Sequence, residues 1–284
     1  MTINSIVSAE TKSNNKNLMP IFELFNNSYI FLKKNLKNFI LITLATYIPI
    51  FALQFIMNKL FLQNNENFQN TRAIAAAFFL LLSFFAIALF SIIQQITLIS
   101  FIDKKKAGGE LNILEIYRAN KKYFLQYFWI NILIFLITIS GALGIFFTIA
   151  LSAIFKETFA SKYILAILIS LNFILAITIF IYIFYLLICF MFSRFALICE
   201  NIKGLEAIKK SKTLVKGRWW NIILRIAILN LIFFAISLLS FFINLIPQKI
   251  ISGTLMFIFA LIFSLFAIPF SAVYFYFIYT DLKR

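Results

Sequence analysis

Six long apolar runs, almost free of charge, limit what this chain can fold into. They are Phe39–Met57, Ala73–Ile102, Phe124–Phe155, Tyr163–Ser193, Asn221–Ile246 and Ile250–Thr280. A membrane-crossing helix needs about 20 consecutive apolar residues, and each run supplies them, the first by including Asn58. In hydrocarbon every backbone N–H and C=O must be bonded inside the chain, which a helix achieves unaided. The expectation is an all-α integral membrane protein with six transmembrane helices. With 63% hydrophobic residues and a mean hydropathy of +0.97, the chain is too apolar for a water-soluble domain. Several runs exceed what a bilayer requires, so their helices must tilt, break or continue past the hydrocarbon. Pro49, Gly141 with Gly144, and Pro269 are the candidate break points.

Charge is confined to the gaps between these runs. Of 26 Lys and Arg, all but Lys59, Arg72, Lys156, Lys162 and Lys249, and Arg225 just inside the fifth run, fall in alternate gaps and at the two ends. Basic residues accumulate on the cytoplasmic side, so both termini are expected there. The net charge of +16 does not point to nucleic acid, because no basic face interleaves with a soluble fold. Residues 1–19, rich in Ser, Asn, Thr and Lys, read as a disordered cytoplasmic tail without an apolar leader core, so the first span would serve as its own insertion signal. Residues 20–284 read as a single six-helix membrane domain. Cys189 and Cys199 make no disulfide framework and read as reduced thiols.

The most charged gap, Arg194–Arg225, carries an amphipathic helix. Gly204, Ala207, Ile208, Ser211, Leu214 and Val215 fall on one face, and Glu206, Lys209, Lys210, Thr213 and Lys216 on the other. Asn201 is the expected N-cap, Glu206 suits the positive end of the helix dipole, and Gly217 can close the helix in a left-handed conformation. Arg218, Trp219 and Trp220 mark a headgroup boundary. A second such segment, Ile21–Lys37, places Phe22, Phe25, Tyr29 and Leu32 on one side. Helices of this kind lie flat on the membrane and lead into the next span.

These segments also suggest an internal repeat. Glu23-Leu-Phe-Asn-Asn-Ser28, Glu115-Ile-Tyr-Arg-Ala-Asn120 and Glu206-Ala-Ile-Lys-Lys-Ser211 share one pattern, and their glutamates recur at nearly equal spacing. Asp103 and Arg194 lie at equal distance before the second and third glutamates. The reading is three units, 20–103, 110–194 and 201–281, each an interfacial helix followed by a two-helix hairpin. Because each unit crosses twice, all three share one orientation, which suggests a pseudo-threefold axis along the membrane normal. The alternative is that any loop feeding a hairpin takes this form.

Glu200-Asn201, Gly204-Leu205-Glu206-Ala207, Ser211, Leu214, Lys216-Gly217 and Trp220 resemble the signature loop of bacterial membrane proteins related to the glycerophosphodiester phosphodiesterase membrane domain, YciC-like inner-membrane proteins included. The ending Tyr279-Thr280-Asp281-Leu282-Lys283-Arg284, after Pro269, resembles that group's ending, with Lys283 where Arg is usual. The resemblance implies a module of roughly six helices in a bacterial inner (plasma) membrane, without the catalytic domain fused to some relatives.

The residue inventory limits the chemistry. The chain has no histidine, hence no usual general base and no His-based metal site or triad. There is no Walker-type phosphate loop, and no acidic residue lies deep in a run. The expectation is a non-enzyme without cofactor or metal. Candidate sites are of two kinds. Lys209, Lys210, Lys212, Lys216 and Arg218 either engage anionic headgroups or a protein partner, or serve only as topological signals. Arg225, inside the fifth run, either snorkels, pairs with Asp281 or Glu200, or meets a substrate. Gln94, Gln95, Asn172 and Asn230 either bond across helices or line a polar cavity. Two readings follow: a non-catalytic membrane protein whose basic helices engage lipid headgroups or a partner, and a transporter for an amphipathic or anionic solute. An intramembrane enzyme ranks third.

Overall fold

A computed structural model describes residues 18–61, 69–109, 112–158, 162–244 and 249–284. These residues form helices α1 (Ile21–Lys34), α2 (Leu36–Phe61), α3 (Gln69–Lys106), α4 (Ile113–Thr158), α5 (Lys162–Met191), α6 (Ser193–Cys199), α7 (Gly204–Val215), α8 (Trp219–Ser237), α9 (Leu239–Asn244) and α10 (Lys249–Leu282), with no strand among them. The chain is an all-α, multi-pass membrane protein. Six helical segments are long and apolar enough to cross: Leu36–Leu53, Ala77–Lys106, Ile113–Phe155, Tyr163–Cys199, Trp219–Ile243 and Thr254–Leu282. The tail expected over residues 1–19 lies outside the described residues, apart from Leu18 and Met19.

The helices do not break where the sequence suggested. α2 runs through Pro49, α4 through Gly141 and Gly144, and α10 through Pro269. An unbonded backbone group in hydrocarbon costs several kcal/mol, so a helix absorbs a proline or glycine rather than opening there. The interruptions fall at Asn35, Phe192 and Leu238 instead. Each has a side chain at or beside it that takes up a loose carbonyl: Asn35 Nδ2 donates to Phe31 O at 2.9 Å, Ser193 Oγ to Phe190 O at 2.5 Å, and Ser240 Oγ to Ser237 O at 2.6 Å. α4, with 46 residues, is about 69 Å long, and so continues well beyond a hydrocarbon core of about 30 Å.

The chain divides into two compact units, residues 1–118 with 224–284, and residues 119–223. In the first, α2 packs along α3, and α10 packs against α1, α2 and α3. Aromatic rings fill this core: Phe25 meets Phe270 at 4.9 Å between centroids, Phe39 meets Phe101 at 5.2 Å, and Phe51 meets Phe257 at 5.4 Å. Each such pair adds about 0.5–1.5 kcal/mol beyond area burial. α1 presents Leu24, Ser28 and Leu32 to α10, and the side read as apolar is divided: Leu32 and Phe25 pack inward, while Phe22 is 85% exposed and Tyr29 44%. In a bilayer an apolar ring gains nothing by turning inward, and Ser28 is buried cheaply because its hydroxyl donates to Leu24 O.

In the second unit, α4 and α5 approach closely at Gly141, where an added Cβ would stand 2.0 Å from Ile183 Cδ1. Asn172 of α5 donates from Nδ2 to Thr148 O and to Ser152 Oγ of α4. Such interhelical bonds contribute about 0.6–2 kcal/mol. Elsewhere the spans face outward with large apolar side chains, Phe78, Leu81, Phe146, Phe173 and Phe234 among them, which only lipid can cover.

Candidate functional site: the charged ends of the helices

α7 is fixed by one stripe. Ala207, Ser211 and Val215, one turn apart, are fully buried against α5 and α6, and Ser211 Oγ donates to Cys189 O. Its other face carries charge: Lys209, Lys212 and Lys216 are exposed, while Lys210 and Arg218 are half-buried. Asn201 is not the cap. The helix begins at Gly204 with Lys203 as N-cap, and no side chain caps it. Asn201 instead turns the chain between α6 and α7 at φ +55°, a left-handed conformation that asparagine tolerates better than most residues. Gly217 at φ +78° ends the helical turn, as a glycine can without strain. Glu200 is the half-buried C-cap of α6. Trp219 stands edge-on to Tyr185 at 6.1 Å, and Trp220 is 68% exposed.

A second cluster closes the first unit. Arg225 is buried rather than snorkelling, and its partner is Asp281, Nη1 to Oδ2 at 3.8 Å, too long for a hydrogen bond. Met19 bridges the two: its N–H donates to Asp281 Oδ2 at 2.7 Å, and its carbonyl accepts from Arg225 Nη2. Tyr274 donates to the backbone carbonyl of Arg225 at 3.2 Å, and Tyr276 to Asp103 Oδ1 at 2.9 Å. Lys106 Nζ lies over the Phe277 ring at 4.5 Å. Pro269 is buried in α10 above this end.

The polar residues within the spans separate. Asn172 joins α5 to α4, as described. Gln94 is 5% exposed and its Nε2 has no hydrogen-bond partner among the described residues, whereas Gln95 is half-buried. Asn230 points outward. The Tyr117 hydroxyl reaches Thr46 of α2 and Thr97 of α3, so the side of α3 that carries Gln94 and Thr97 is a polar seam.

Two positions escaped sequence reading as sites. Met19 fell in the polar tail, and its role is carried by backbone atoms, which composition does not reveal. Arg194 served only as a boundary. Its Nη2 donates to Asn131 Oδ1 at 2.6 Å, and its guanidinium lies 5.6 Å from the Tyr127 ring centre. The hint was available, since Asn131 is a polar residue near the start of the third apolar run and Arg194 directly follows the fourth. Among the described residues no three His, Cys, Asp or Glu side chains gather as a metal ion requires, and neither Cys189 nor Cys199 is in a disulfide there. No protein-family model matches this chain, and no curated protein or solved structure does.

Proposed function

We propose that this multi-pass membrane protein is non-catalytic and engages anionic lipid headgroups through α7, in a bacterial inner membrane with both termini cytoplasmic. One observation carries the reading. α7 is docked by Ala207, Ser211 and Val215 while Lys209, Lys212 and Lys216 are presented outward, the arrangement of a helix that meets a charged leaflet. Each lysine near an anionic surface contributes about 1 kcal/mol. The lopsided distribution of Lys and Arg supports the orientation, and the motif around Gly204–Trp220 supports kinship with the glycerophosphodiester phosphodiesterase membrane-domain group.

The repeat reading gains support from packing. α1 rests on α10, and α7 on α5. Tyr117, near the start of α4, reaches α3. Two of the three interfacial segments, α1 and α7, thus lean on the last span of the repeat before them, counted cyclically. Ser28, Asn120 and Ser211, at matching repeat positions, are all buried.

The test is native mass spectrometry of the protein extracted with its own lipids, beside a K209Q/K210Q/K212Q variant. Anionic lipid retained by the natural chain and lost by the variant is expected. Equal retention would reduce these lysines to topological signals. The unpartnered Gln94 Nε2 and the seam with Thr97 favour a second reading, a solute pathway. Gln94→Cys, in a chain with Cys189 and Cys199 replaced by serine, reacts with a water-soluble maleimide if water enters there. Failure to react removes that reading.

A further inference from the structure

The half-buried guanidinium of Arg194 has no carboxylate partner among the described residues. It is held by neutral groups. Asn131 Nδ2 donates to Tyr127 O at 2.8 Å, which fixes the amide so that its Oδ1 accepts from Arg194 Nη2 at 2.6 Å. The Tyr127 ring lies beside the same guanidinium, and the Tyr127 hydroxyl oxygen is within reach of it as an acceptor. Beyond that mutual approach, neither the buried Arg194 Nε nor the hydroxyl of Tyr127, a residue only 1% exposed, has a well-formed hydrogen bond among the described residues, and the phenol proton is left without an acceptor. A buried donor without an acceptor costs about 1–3 kcal/mol, and a partly buried cation without a counter-charge adds to that cost.

The corresponding charged positions in the other two hairpins differ in sign and in satisfaction. Asp103 accepts from Tyr276, and Asp281 accepts from Met19 and faces Arg225. Arg194 alone of the three is a cation, and no carboxylate among the described residues compensates its charge. α7 lies beside it, tied by Ser211 to Cys189 of the preceding helix.

From this we infer that Arg194 and Tyr127 form a discrete binding site for one phosphate oxyanion, either esterified in a phospholipid headgroup or free. An oxyanion oxygen accepts from the guanidinium and the phenol together and supplies the missing charge. The inference deepens the headgroup reading of α7 and rests on it for the lipid source, while the oxyanion chemistry stands on Arg194 and Tyr127 themselves.

The experiment uses the full chain in detergent, as natural protein, R194Q, Y127F and K209Q/K210Q/K212Q. Each is exchanged with mixed phosphatidylglycerol–phosphatidylcholine micelles and read by native mass spectrometry. Each is also titrated with inorganic phosphate and read by thermal shift. One tightly held phosphatidylglycerol is expected on the natural chain. R194Q should lose it, and Y127F, which keeps the ring and the fold, should hold it about tenfold more weakly. A phosphate-dependent thermal shift that R194Q abolishes, without retained lipid, assigns the site to free phosphate and supports the same chemistry. If Y127F and R194Q match the natural chain in both arms, the site does not exist; should R194Q fail to fold, Y127F alone decides. The lysine variant separates the two ideas: one lipid kept there and lost in R194Q upholds this site and refutes the α7 reading.

Discussion

Gly141 and Gly144 lie three residues apart on α4, yet an added methyl group would meet different surroundings at each. At Gly141 it would stand 2.0 Å from Ile183 Cδ1 and 2.6 Å from Cγ1, whereas at Gly144 its nearest neighbour is Ile179 Cδ1 at 3.6 Å. The first distance forces movement and the second is ordinary contact. G141A should therefore destabilise the protein by about 1–3 kcal/mol, the usual cost of overpacking. G144A should be neutral or slightly stabilising, because alanine is the better helix former. Melting in detergent distinguishes them, and I183A should rescue G141A and leave G144A unmoved. The sequence marked both glycines as candidate break points but could not rank them as contacts, since the ranking depends on the isoleucines of another helix. Arg225 follows the same logic. Its pairing with Asp281 was among the alternatives legible in the charges, but the bridge through Met19 was not. Removing one member of a buried pair costs about 3–5 kcal/mol. D281A should approach that loss, and D281N should lose less because an amide oxygen still accepts from the Met19 N–H.

At the scale of the element, α7 and α1 show when an amphipathic pattern can be read. On α7 the lysines mark the outer face, so the inner stripe of Ala207, Ser211 and Val215 follows by subtraction. On α1 the basic residues sit only in the last turn, at Lys33 and Lys34, and the aromatic residues do not mark one face, since Phe25 packs on Phe270 while Phe22 faces outward and Ser28 inward. Lipid is as apolar as a protein core, so hydrophobicity alone does not say which way a ring points. The stripe, rather than the charge, is what should hold α7 in place. S211L, which removes the bond to Cys189 O and overfills a fully buried position, should free the helix and speed amide exchange across Gly204–Val215. K209Q/K210Q/K212Q should leave that exchange unchanged. If both variants exchange alike, the lysines contribute to docking and the division of the helix into a structural and a ligand-facing side fails.

At the scale of the whole molecule, the six apolar runs were legible because the bilayer permits so few solutions. The helix ends were less so: α4 continues for about 69 Å because nothing in water penalises a helix already nucleated in lipid. Orientation rests on charge placement, and it decides whether the headgroup reading is physically available. Anionic lipid gives the cytoplasmic leaflet its negative surface potential, so the α7 lysines act on it only if α7 faces that side. Cysteine labelling measures this directly. In a chain with Cys189 and Cys199 replaced by serine, N65C and S161C should react with a membrane-impermeant maleimide on intact cells, and K209C only after permeabilisation. Should K209C react on intact cells while N65C does not, the molecule is inverted. Its lysines would then face away from the charged leaflet, and the role assigned to α7 would lose its physical basis, whereas the Arg194–Tyr127 site, which needs only one oxyanion, would still be open to its own test.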